Sequence, residues 1–234
     1  MNAGFREWRH VFKLDPERPI GDEDLERLCL SGTDAILVGG STGVTEENTI
    51  DLLSRVRRFA VDCALEVSDP GAIVPGFDHY LIPMVLNASS AEWITRKHQR
   101  AIRAYAPLID WREVAGEGYV VLNPDSAVAR LTGADTEMDG DDLAAYADLA
   151  EKLLSLPIFY VEYSGTFGDM EAVRQAAARL SRTRLFYGGG IDGPERAAQA
   201  AAVADTVVVG NIIYANLEAA LSTVAAVKPE ASLR

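Results

Sequence analysis

The chain has 234 residues, 48% hydrophobic and 24% charged, which suits one soluble globular domain, 1–234, with a full core. Lysine plus arginine number 22 against 35 acids, a net charge of −13. That speaks against nucleic-acid binding and against simple electrostatic attachment to an anionic membrane, although a local basic patch is compatible with it. No apolar run is long enough to cross a bilayer, and the first ten residues lack a signal-peptide stretch. Cys29 and Cys63, far apart and in apolar segments, read as reduced, buried thiols of a cytoplasmic protein.

Short β-rich runs alternate with amphipathic helical patterns. Strands are expected at residues 10–14, 35–38, 63–67, 80–83, 119–122, 158–163, 185–187 and 206–209. Several, such as Val207-Val208-Val209, are continuously apolar, as in a parallel sheet covered on both faces. Thr45 is placed to cap a helix whose apolar stripe is Ile50, Leu53 and Val56. Asp141 or Asp142 is placed to cap another through Leu154. Further helices are expected at 170–180, 194–202 and 211–227, with Pro194 suited to a first turn. Between residues 67 and 80 two prolines and two glycines leave no room for a crossover helix. Insertions are expected at 110–118 and 124–142. The pattern predicts an α/β fold, a modified (β/α)8 barrel whose third helix is replaced by a loop; an open doubly wound sheet is the rival.

Barrel chemistry gathers at the C-terminal ends of strands. The seventh and eighth strands end in Gly188-Gly189-Gly190 and Gly210-Asn211, where glycine lets backbone N–H groups approach a phosphate. Gly190, Gly210 and Asn211 therefore form a candidate phosphate cradle, unless the glycines merely turn strand into helix. Lys13 is a charge within a strand, suited to a phosphate, to a Schiff base, or to snorkelling. Asp15 and the Ser41 hydroxyl are hard oxygen donors of the kind Mg²⁺ prefers, although Asp15 also suits a turn before Pro16. Glu162, between Tyr160 and Tyr163 in an apolar strand, is a candidate general base or hydroxyl-binding group. Arg96, Lys97, Arg100 and Arg103 around His98 read as a solvated face. The acidic run from Asp135 is no calcium loop, because its twelfth position is Tyr146, and the three histidines lack metal-ligand spacing.

The runs 8–16, 31–34, 39–41, 117–119, 162–165, 187–191 and 209–211 resemble the geranylgeranylglyceryl phosphate synthase family, in particular its bacterial PcrB branch. The resemblance extends from Trp8 to Lys228. It implies a barrel without the third helix, a homodimer, Mg²⁺ dependence, and prenyl transfer from a polyprenyl diphosphate to sn-glycerol 1-phosphate, giving an ether and diphosphate. It assigns Lys13, Tyr160, Val161, Glu162, Tyr163, Ser164, Gly165, Gly190, Gly210 and Asn211 to the glycerol-phosphate site, and Asp15 and Ser41 to the metal. Glu162 is expected to bind or deprotonate the acceptor hydroxyl. Ala101, small where the archaeal branch has a bulky aromatic, implies a long donor such as heptaprenyl (C35). A lipophilic donor also implies peripheral contact with the inner face of a membrane, though no amphipathic anchor is evident. The rival functions are a Schiff-base aldolase using Lys13, a non-catalytic sensor of polyol phosphates, and an interaction scaffold.

Overall fold

The computed structural model describes residues 4–229; the expected domain, 1–234, runs beyond them at both ends. Eight parallel strands close into a barrel, each hydrogen-bonded to the next and the eighth to the first. They are β1 (His10–Leu14), β2 (Ala35–Val38), β3 (Asp62–Glu66), β4 (His79–Val85), β5 (Val114–Val121), β6 (Ile158–Glu162), β7 (Arg184–Gly188) and β8 (Thr206–Val209). The helices are α1 (Asp22–Cys29), α2 (Glu46–Val56), α3 (Lys97–Tyr105), α4 (Ala127–Thr132), α5 (Gly140–Asp148), α6 (Met170–Ala177), α7 (Pro194–Ala201), α8 (Ile212–Ala215) and α9 (Leu217–Val227). Among the described residues no helix is long and apolar enough to cross a membrane.

Strand alternation divides the core into two parts. Phe12, Leu14, Ile36, Val161 and Tyr187 face outward and pack under the helices. Val11, Leu37, Ala64, Leu81, Tyr119, Tyr160 and Phe186 face the barrel axis. Trp8, buried against Phe5, His79 and Phe186, closes the N-terminal end. His10 points outward, its ring nitrogens 2.9 Å from Thr33 Oγ1 and from Thr223 Oγ1 on α9. Burial pushes its pKa down to about 3, so the ring is neutral.

No α-helix joins β3 to β4; the connection holds only the 3-10 turn Pro70–Ala72, capped by Asp69. Elsewhere the structure corrects the sequence reading. β5 begins at Val114, inside the expected insertion at 110–118, because Gly116, Glu117 and Gly118 break the apolar pattern that marks a strand. The helix after residue 45 does carry the Thr45 cap, but its buried side is Thr49, Leu52, Leu53 and Val56, and Ile50 is 47% exposed. α5 is capped by Asp139, whose carboxylate accepts from the N–H groups of both Asp141 and Asp142. The stretch 211–227 is two helices: Asn216 leaves helical geometry to cap α9 at Ala219.

Candidate active site

The barrel axis carries charge where most of its neighbours are apolar. Lys13, Glu66, Glu117, Tyr119, Tyr160 and Glu162 all project inward from alternate strand positions. Lys13 Nζ lies 2.6 Å from Glu66 Oε2 and 5.6 Å from the centre of the Tyr160 ring. Tyr160 stacks on Tyr119 at 4.6 Å between centroids. The Tyr119 hydroxyl in turn donates to Glu162 Oε2 at 2.8 Å. Four buried oxygens in this group have no protein partner: both of Glu117, Glu66 Oε1 and Tyr160 Oη.

Burial works against the Lys13 charge, but Glu66, Glu162 and Glu117 together hold its pKa above the ordinary lysine value. Burial raises Glu117 well above the carboxylate range, with repulsion from Glu66 adding to it. Glu162 is also raised by burial, against the pull of Lys13 and the Tyr119 hydrogen bond. A lysine held as ammonium is a poor nucleophile for a carbonyl, which disfavours the Schiff-base reading.

Above this group the strand-end loops meet at one cavity of about 1660 Å³. Asp15 Oδ1 accepts from Glu17 N–H at 3.0 Å, forming the turn before the helix. Gly40 passes so close beneath the carboxylate that a Cβ there would lie 2.6 Å from Oδ1. Asp15 and Ser41 line the same side. The described residues contain no cluster of three or more carboxylate, histidine or cysteine ligands. Two hard oxygens beside a cavity instead suit Mg²⁺ shared with substrate phosphates and water, as this ion is commonly held.

The glycine-rich strand ends line the same cavity. Gly190 takes φ +57°, and a Cβ there would lie 2.1 Å from the backbone N of Phe167. Its identity is therefore fixed by packing as well as by any ligand. Gly210 and Asn211 border the cavity at the start of α8. Two guanidiniums absent from the sequence reading adjoin these strand ends. Arg196 donates to the Gly190 carbonyl at 3.0 Å, and Arg18 donates to Asn211 Oδ1 at 3.1 Å while lying 3.7 Å over the Tyr214 ring.

Of the run 160–165, Tyr160, Glu162, Ser164 and Gly165 reach the cavity. Val161 and Tyr163 do not: strand alternation turns both toward the helix layer, where Tyr163 packs near Tyr187. Glu66 is absent from the sequence reading, and Glu117 enters it only within the run 117–119, with no role in the site. Glu66 ends β3 with inward alternation, which was a usable signal. Glu117 lay within the supposed insertion.

The far part of the cavity is apolar and exists because a helix is missing. Tyr80, Ile82 and Met84 on the outer face of β4 line it, as does Gly116 on β5. α3 stands over them without burying any residue, tied to β4 where His98 Nε2 donates to the Pro83 carbonyl at 2.9 Å. Ala101 of α3 lines the groove with Trp93, Ile94 and Tyr105. One continuous space thus runs from the charged strand ends to Ala101.

The model of the PcrB family matches residues 3–228. The chain belongs to the PcrB family. It is 59% identical over 229 residues to the heptaprenylglyceryl phosphate synthase of Geobacillus kaustophilus, covering 98% of this chain and 96% of that one. The enzyme of the same name from a Bacillus cereus strain is 56% identical, covering 95% and 97%. The (S)-3-O-geranylgeranylglyceryl phosphate synthase of Thermoplasma acidophilum, crystallised with its substrate sn-glycerol-1-phosphate, superposes with a TM-score of 0.83 at 25% identity, over 94% of this chain and 93% of that one. A Mycobacterium tuberculosis tryptophan synthase, at 16% identity and a TM-score of 0.58 over 95% and 93% of the two chains, shares the fold alone.

Proposed function

We propose that this PcrB-family chain is a prenyltransferase that joins a long polyprenyl diphosphate, heptaprenyl (C35), to sn-glycerol 1-phosphate. The observation that carries this reading is the single cavity joining a charged strand-end site to an apolar groove of the kind a prenyl chain needs. We also propose that the working enzyme is a Mg²⁺-dependent homodimer of the cytoplasm, visiting the inner membrane face for its donor.

In the reaction the acceptor's free hydroxyl oxygen forms a bond to the first prenyl carbon. The bond from that carbon to the diphosphate breaks, the electron pair leaves with diphosphate, and the hydroxyl proton goes to Glu162. Burial raises the Glu162 proton affinity, which suits it to that task, and Tyr119 fixes the orientation of its carboxylate. Gly190, Gly210, Asn211, Arg18 and Arg196 hold the acceptor phosphate, so that orientation supplies part of the acceleration. Asp15 and Ser41 would hold Mg²⁺, which when bound neutralises charge on the leaving diphosphate. Lys13, kept cationic chiefly by its ion pair with Glu66 and by Glu162, adds a fixed positive charge beside the reacting groups.

The test offers each stereoisomer of labelled glycerol phosphate with C20 and C35 diphosphates, with and without Mg²⁺. A solvent-extractable ether from sn-glycerol 1-phosphate and the C35 donor is expected. Binding of glycerol phosphate without product from either donor would move the reading to a polyol-phosphate sensor. Light scattering in solution measures the oligomer.

A further inference from the structure

Ten large hydrophobic side chains are exposed among the described residues. Six of them, Ile73, Ile102, Tyr105, Leu108, Trp111 and Leu131, also line the long cavity. Residues that line a cavity and face solvent stand on its rim. Four of the six fall within residues 102–111, where Leu108 is 82% and Trp111 56% exposed.

The same stretch is basic in an acidic protein. Residues 96–112 carry Arg96, Lys97, Arg100, Arg103 and Arg112 against Asp110, with Glu92 and Glu113 at the flanks, in a chain of net charge −13. Arg100 is paired with Glu92, and Arg112 with Asp110. Lys97 lies 3.5 Å over the Trp93 ring. Arg103 pairs with no carboxylate among the described residues. Exposed leucine, tryptophan and tyrosine beside cationic side chains are the composition of a membrane–water interface.

We propose that this rim docks on an anionic lipid bilayer. Leu108 and Trp111 enter the headgroup region, and the flanking arginines meet lipid phosphates. The inference rests on the prenyl-transfer reading: the donor would pass from lipid to groove without exposing its chain to water. A second copy of the chain is the poorer occupant. A two-fold contact here would bring the basic stretch close to itself, and like charges across an interface oppose association.

The experiment sediments purified full-length protein, with no donor present, with phosphatidylcholine vesicles or with vesicles that also contain phosphatidylglycerol. Binding is expected only to the anionic vesicles. High salt, or the double variant R100E/R112E, should lower the bound fraction about tenfold or more. Neither arginine lines the cavity, so transfer from a short, water-soluble allylic diphosphate in vesicle-free buffer should be unchanged in this variant. Equal binding to both vesicle types, no binding, or wild-type binding by R100E/R112E would overturn the proposal. So would a change of mass by light scattering in the variant, which would make this face a contact between copies. Failure of all transfer in the wild type would instead overturn the enzymatic reading, because vesicle binding is read without it.

Discussion

The two ends of the cavity are built on opposite plans. At the barrel axis, Glu66, Tyr119 and Glu162 are buried and Lys13 is largely so, and all four are fixed by hydrogen bonds or ion pairs. Under α3, the walls are apolar and the covering helix buries none of its residues. The difference separates two tasks. Chemistry needs groups held to a fraction of an ångström, whereas recognition of a prenyl chain needs volume, which a missing helix supplies. Substitutions at the axis should therefore abolish turnover or stability, and substitutions in the groove should redirect specificity.

The largest expected effect tests the axis. Glu162→Gln keeps the shape but cannot take a proton, so turnover should fall about 10²–10⁴-fold while calorimetry shows glycerol phosphate binding unchanged. Comparable turnover would remove Glu162 as the base. Next, Lys13→Met leaves Glu66 buried without its partner. Urea unfolding should show a loss of about 3–5 kcal/mol, typical for breaking one half of a buried pair. A much smaller loss would mean that the axis is less rigidly paired than the 2.6 Å contact indicates.

The groove should respond differently. Ala101→Trp fills space without touching a polar group, so competition between C35 and C20 donors should swing toward C20 by about 10- to 200-fold, the worth of a lost apolar contact. Turnover with the C20 donor should persist. A uniform loss with both donors would break the division of labour between the two ends.

The smallest effect concerns Glu117, whose elevated pKa means the folded state binds its proton more tightly than the unfolded chain does. Its contribution to stability is full below the ordinary value of 4.5 and is lost as pH rises toward the raised folded value. Glu117→Gln removes that dependence. Thermal melts of the wild type relative to the variant should therefore lose ground as pH rises from 4.5 toward neutrality; parallel curves would mean that Glu117 is not held as the neutral acid.

Much of this contrast was legible in sequence, for identifiable reasons. The missing helix showed because proline and glycine act locally, and the strand-end glycines showed because a turn demands them. Glu162 stood out as a charge in an apolar strand. Glu66 and Glu117 did not, because their roles come from sharing the barrel interior with Lys13, and no local pattern records that the Lys13 partner of Glu66 lies 53 residues away. Arg18 and Arg196 were hidden likewise: each is an ordinary surface arginine until the loops converge. The family resemblance implies a site role for Val161 and Tyr163 as well, but the two-residue period of the strand turns their side chains outward.

The outward-facing His10 has a consequence for how the protein is made. Its imidazole joins Thr33, early in the chain, to Thr223 on the last helix, and Lys228 at the end of that helix pairs with Asp34. Asp34 in turn accepts hydrogen bonds from the N–H groups of Arg9 and His10. The first strand also waits for the eighth as its sheet neighbour. During synthesis the opening strand thus emerges from the ribosome with one flank bare and its buried histidine unsatisfied, until some two hundred further residues have followed it. Barrel closure therefore waits for β8 and α9, the last elements of the fold to be made.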